Sequence, residues 1–102
     1  MKGEEIKIKS KEFWVIIVDF LQQFWAVIEL NEDSTNVTVY FLHEGSGVFA
    51  NMKFENKEIA QKALVQNGFK NFKDPYENFE EYLNPPKEPF YLVKNQGRSM
   101  AS

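Results

Sequence analysis

Two strand-like runs, "NVTVYFLH" and "VFANMKF", stand either side of the motif Glu44-Gly45-Ser46-Gly47. No other feature constrains the fold of this chain as strongly. Alternation at period two sends successive side chains to opposite faces of a strand, and a glycine-bearing turn between two such runs marks a β-hairpin. A two-residue turn at Gly45-Ser46, with Gly45 in the left-handed first position of a type II′ turn, pairs Phe41 with Ala50, Val39 with Met52 and Val37 with Phe54. That register puts these apolar residues on one face, and sets Thr38, Tyr40 and Leu42 against Lys53, Asn51 and Phe49 on the other.

The hairpin motif also contains the chain's one histidine, His43, so it has to be weighed as chemistry. A hydrolase nucleophile elbow spaces its glycines two residues either side of the serine, on a strand-to-helix turn, with the base supplied from elsewhere. Here the glycines adjoin Ser46, the turn joins two strands, and His43 lies three residues upstream. The motif therefore reads as a turn. As a metal ligand His43 needs companions, and with no cysteine and no second histidine these would all be carboxylates or water.

Upstream, "KEFWVIIVDFLQQF" has two readings. As a helix over 11–24 capped by Ser10, it stacks Phe13, Ile17, Phe20, Leu21 and Phe24 at spacings of three, four and seven. Glu12, Asp19, Gln22 and Gln23 then fall on the wetter side. As a strand, residues 13–18 use the β-branched run that favours extended backbone. The helix is the preferred reading, with Asp19 on its solvated side. "WAVIEL" follows as a strand and "NEDSTN" as a turn.

Downstream, "ENKEIAQKALVQNGF" has both helix ends written in, with Asn56 as N-cap and Gly68 just past the C-terminus, where Leu64 and Phe69 have the spacing of a capping contact. "DPYENFEEYL" reads as a second helix: Asp74 as N-cap, Pro75 at the first position, Glu77 three after the cap, and Asn84-Pro85-Pro86 as the stop. "PFYLV" returns as a last strand, and "EIKIK" suggests a short edge strand. The expected fold is α+β, an antiparallel sheet of three to four strands around the central hairpin with helices packed on one face. One domain over 1–102 is expected, with residues 1–9 and 95–102 as loose termini.

Charge and composition narrow the function classes. Fifteen acids against twelve Lys and Arg leave no broad basic surface for a phosphate backbone, so nucleic acid is not expected as a partner. The absence of cysteine excludes disulfides and thiolate chemistry and fits the cytoplasm. Asp19, Gln22 and Gln23 interrupt the most apolar stretch, so no membrane span is expected. Neither a cofactor nor a metal is called for, and no catalytic constellation presents itself.

Two surfaces stand out as interaction candidates. Asp74, Glu77 and Glu81 would share one face of the last helix, opposite Tyr76, Phe79 and Leu83, as a docking surface for a basic protein with Tyr82 as its aromatic anchor. The ten Phe, four Tyr and two Trp exceed what a core this small readily buries, so Tyr40, Phe49, Tyr82, Tyr91 and Trp25 are expected to be partly exposed, with Tyr40 and Phe49 marking a second surface on the sheet. The leading reading is a non-catalytic protein-binding module, for instance a bacterial toxin-neutralising immunity protein or antitoxin; homodimerisation stays open. The alternative is a small-molecule-binding domain or small enzyme whose pocket lies between sheet and helices, with His43 or Asp19 at its mouth.

Overall fold

The computed structural model describes residues 4–19, 22–32 and 35–93. Seven strands, β1 (Glu5–Ile6), β2 (Phe13–Asp19), β3 (Gln22–Leu30), β4 (Val37–Leu42), β5 (Gly47–Phe54), β6 (Lys70–Asn71) and β7 (Phe90–Leu92), form one mixed sheet in the order β1-β7-β5-β4-β3-β2-β6. Every neighbouring pair is antiparallel except β5 and β7, which run parallel. Among the described residues there is one α-helix, α1 (Lys57–Gln66). The protein is thus a β-rich domain built on one wide sheet, not the α+β arrangement of three to four strands with several helices on one face.

The helix expected over 11–24 is instead the β2–β3 hairpin, in which Trp14 faces Ala26 and Ile16 faces Phe24. Four consecutive β-branched residues, Val15 to Val18, favour extended backbone, and β3 supplies the partner. Trp14 and Val15 point to opposite faces and both are buried, so apolar residues follow one another without the alternation that identifies a half-buried strand. Phe20 and Leu21, assigned to that helix's apolar face, lie outside the described residues.

The second expected helix is also absent. After Asp74 the chain makes successive turns, and Asn78 adopts a left-handed conformation (φ 55°) before a single 3-10 turn at Phe79–Glu81. Asp74 and Pro75 serve a turn as readily as a helix start: Asp74 Oδ1 accepts a hydrogen bond from the Tyr76 amide, 2.9 Å. Phe79 is buried and Leu83 packs against it, as expected, but Tyr76 is 90% exposed.

The sheet carries a core on each face. On one, Val15, Trp25, Val27, Leu42 and Val48 pack under Ile8, Phe72, Phe79 and Phe90, contributed by extended or turning segments. Ile8 belongs to the stretch expected to be loose. Trp25, expected at the surface, is 0% exposed. On the other face, Trp14, Ala26, Ile28, Val37 and Val39 pack against Ala60 and Leu64 of α1. That helix ends as the sequence indicates: Asn56 accepts from the Ile59 amide at 2.9 Å, and Gly68 (φ 91°) lets the Phe69 amide reach back to Leu64 O at 2.9 Å.

Candidate functional site

α1 leaves the end of β5 and finishes at Gly68 beside Ile16 of β2. It packs against β3, β4 and β5 and covers only part of that face. Beside its C-terminal part lies an open groove of ≈ 500 Å³. Its floor is Ile16, Phe24, Phe41, Phe49 and Met52, and Leu64 with Phe69 form the wall that α1 provides. His43 and Asn67 are its polar lining residues; the Asn67 amide nitrogen is already donating to Ala63 O at 2.8 Å.

The hairpin loop shapes the floor. The strand pairs Phe41 with Ala50, Val39 with Met52 and Val37 with Phe54 match those expected from the alternation. The turn itself does not. His43 and Gly47 close it, with the His43 amide donating to Gly47 O at 2.9 Å and the Ser46 amide to His43 O at 3.3 Å. Glu44, Gly45 and Ser46 form the loop, and the left-handed residue is Ser46 (φ 72°), one position after the glycine assigned that role. The loop is one residue longer than expected, and a bulge at Phe49 restores the register, because Leu42 pairs with Val48 while Phe41 pairs with Ala50.

The bulge has a consequence for chemistry. Alternation assigns Phe49 to the face of Tyr40 and Leu42. The extra residue turns it to the opposite face, where its ring lies 4.4 Å from that of His43 and 5.6 Å from that of Phe24. Phe49 remains 39% exposed and Met52 53% exposed, so the groove presents apolar surface to solvent. Tyr40 sits on the far side of the sheet, packed against the Trp25 core. Burial first, and the Glu29 carboxylate second, hold its phenol above the usual pKa. The surface expected to join Tyr40 and Phe49 does not exist.

Nor do the acidic candidates converge as expected. With no helix over 74–83, Asp74, Glu77 and Glu81 share no helical face. Glu77 forms an ion pair with Lys70 at 2.6 Å; that hydrogen bond and the Glu77 charge raise the Lys70 pKa. Tyr82 is 60% exposed and its ring leans on Phe79 at 6.2 Å. Asp19 is exposed at the end of β2. His43 lies at the rim of an open groove rather than at the mouth of a closed pocket.

A polar hub lies beside the other end of α1. Glu12 accepts hydrogen bonds from Trp14 Nε1 (3.1 Å) and Gln61 Nε2 (2.8 Å) and pairs with Lys57 at 2.9 Å. Burial alone would raise its pKa, but the bonds from Lys57, Gln61 and Trp14 together with the Lys57 charge outweigh it and lower the value. Glu29 accepts from the amides of Lys9 and Ser10. These carboxylates are committed to holding α1 and the N-terminal segment on the sheet. No group of three or more His, Cys, Asp or Glu among the described residues could hold a metal ion, and no described helix is long and apolar enough to cross a membrane.

Ile16, Val18, Phe24, Phe41 and Met52 were not legible as site residues, because each reads as ordinary core on its own. The run of six acids without Lys or Arg from Glu12 to Met52 is no signal for it either, because none of those acids lines the groove. Compared with known protein families, with curated proteins and with solved structures, the chain shows no match in any of the three.

Proposed function

We propose that this chain is a non-catalytic protein-binding module that seats apolar side chains of its partner in the groove beside α1. The observation that carries the reading is the exposure of Phe49, Met52 and Val18 around one continuous apolar floor. Clustered exposed apolar side chains are the usual mark of an association surface. Catalysis gains no support from the groove, since its polar lining consists of one imidazole and one amide already engaged with its own helix. Neutralisation of a toxin by an immunity protein or antitoxin is the concrete instance we put forward.

The test is site-specific photocrosslinking in the native host, with a benzophenone amino acid at Phe49 and, as a control, at the exposed Tyr76. A discrete adduct from position 49 alone, lost when Met52→Gln is added, is expected. Identical adduct patterns from both positions would remove the groove from consideration. A second reading, a small apolar ligand, draws on the groove volume, which falls within the range of ligand pockets of about 300–1,000 Å³. It requires that an apolar ligand raise the melting temperature of the wild type and not that of Met52→Gln.

A further inference from the structure

We infer that Asn67-Gly68, at the C-terminal end of α1, is a site of spontaneous amide-to-acid conversion that the helix holds back while its last turn is closed. A backbone nitrogen can attack the side-chain carbonyl of the asparagine before it and close a five-membered imide. It does so most readily from glycine, which has no side chain to crowd the approach and the widest choice of backbone conformation. The chain has one Asn-Gly pair. Both of its residues are exposed, so solvent water reaches them. In the first step the Gly68 nitrogen gives up its proton and bonds to Asn67 Cγ, the Cγ–Nδ2 bond breaks, and the side-chain nitrogen leaves as ammonia with an equivalent proton. Water then opens the ring. Cleavage between the Gly68 nitrogen and Cγ gives aspartate, and cleavage at the main-chain carbonyl carbon gives isoaspartate, whose backbone runs through the former side chain.

The fold opposes the first step in three ways. Asn67 has ψ 13°, which nearly eclipses the Gly68 nitrogen with the Asn67 nitrogen and so turns it away from Cβ, whereas ring closure needs it beside Cβ. The Gly68 N–H donates to Val65 O at 3.0 Å. The Asn67 side-chain amide donates to Ala63 O at 2.8 Å. All three restraints are released together when the last turn of α1 opens, and helix ends open locally at far lower cost than the whole fold.

The product cannot close that turn in the same way. An ionised aspartate only accepts, so it cannot donate to Ala63 O, and it adds negative charge to the electronegative end of a helix whose last turn has no basic residue. Isoaspartate inserts a backbone carbon before Gly68 and shifts the Gly68 and Phe69 amides off Val65 O and Leu64 O. Leu64, Asn67 and Phe69 line the groove. Conversion therefore loosens the groove's wall and adds a carboxylate to a lining whose polar members are His43 and Asn67.

The test follows the intact protein in mildly alkaline buffer beside a blocked peptide of residues 63–70 as the open reference. Digestion and mass spectrometry read the conversion of each asparagine, and isoaspartate methyltransferase labelling reads the isomer. Conversion at Asn67 ahead of every other asparagine is expected, about 10- to 100-fold slower than in the peptide, which measures how seldom the turn opens. Val65→Gly, at an exposed position of the last turn, weakens the helix end without emptying the core and should speed conversion about twofold in the protein but not in the peptide. Asn67→Gln, whose longer side chain would have to close a six-membered ring, should stay unconverted over the same period. Asn67→Asp, the product made directly, should melt below wild type and lose exchange protection at the Phe69 amide. A rate near the peptide's shows that α1 gates nothing, and a rate below the stated range shows that opening of the last turn does not lead to conversion; either overturns the inference. Faster conversion at another asparagine does so too, and an Asn67→Asp chain that melts at or above the wild-type temperature overturns the consequence for the helix end.

Discussion

Ser46 holds the left-handed backbone position of the hairpin loop, and its side chain compensates for the strain. The hydroxyl donates to Lys87 O at 2.6 Å and accepts from the Lys87 amide at 3.1 Å, which ties the loop to the segment leading into β7. Ser46→Val should cost about 1–3 kcal/mol, since a β-branched residue is poorly tolerated at positive φ. Gly45 is free of that constraint: a Cβ built there meets nothing within 4 Å. Gly45→Ala should therefore be neutral to stabilising, by up to about 1 kcal/mol through the unfolded chain. Urea midpoints of the two variants check both numbers. Glu12 offers a pH test. Its folded pKa is lowered from 4.5, so its contribution is present above that value and is lost as pH falls through the lower folded one. Glu12→Gln should flatten the acid side of the stability profile relative to wild type, as measured by urea unfolding at stepped pH.

At the scale of elements, α1 was readable because its boundaries are chemical and local. Asn56 satisfies an orphan amide at one end, and Gly68 permits the reversal at the other. The two ends should differ in cost. Asn56→Ala removes one capping bond, about 1 kcal/mol. Gly68→Ala should be worse, because the new Cβ must accept φ 91° and would stand 3.0 Å from Ile16 Cδ1. Thermal melts that rank the two in the reverse order would contradict this account of the C-terminus. β2 and the 74–83 segment show the opposite case. Val15 to Val18 signalled a strand correctly, yet apolar residues on both faces, buried at Trp14 and Val15 and exposed at Ile17 and Val18, left no alternation to outweigh a helical spacing of phenylalanines. Asp74, Pro75 and Glu77 supplied helix-start signals, but the chain here turns to bring Phe79 onto Phe72, their rings stacked at 6.5 Å, while Glu77 pairs with Lys70 and Glu80 with Lys73.

Over the whole molecule, the sheet divides its labour between two faces. One is closed by Ile8, Phe72, Phe79 and Phe90 around Trp25, and the other is covered by α1 over part of its area and open in the groove beside it. Trp25→Ala should cost about 3–5 kcal/mol, the range for emptying a large buried aromatic site, whereas Met52→Gln should shift stability by no more than about 0.5 kcal/mol because its side chain is largely in solvent. Equilibrium denaturation of the two variants tests this division. The sheet's edges are guarded by brevity, since β1 and β6 have two residues each. By itself the sequence determined what depends on neighbours along the chain: the register of β4 against β5 from Val37 to Phe41, both ends of α1, the return strand β7, and the absence of cysteine chemistry. Only the tertiary structure decided that residues 13–18 are extended, that Phe49 turns away from Tyr40, and that Phe24, Phe41 and Met52 meet in one groove. Those outcomes depend on pairing and burial between segments far apart in sequence, where a one-residue bulge redirects a side chain without changing any local signal.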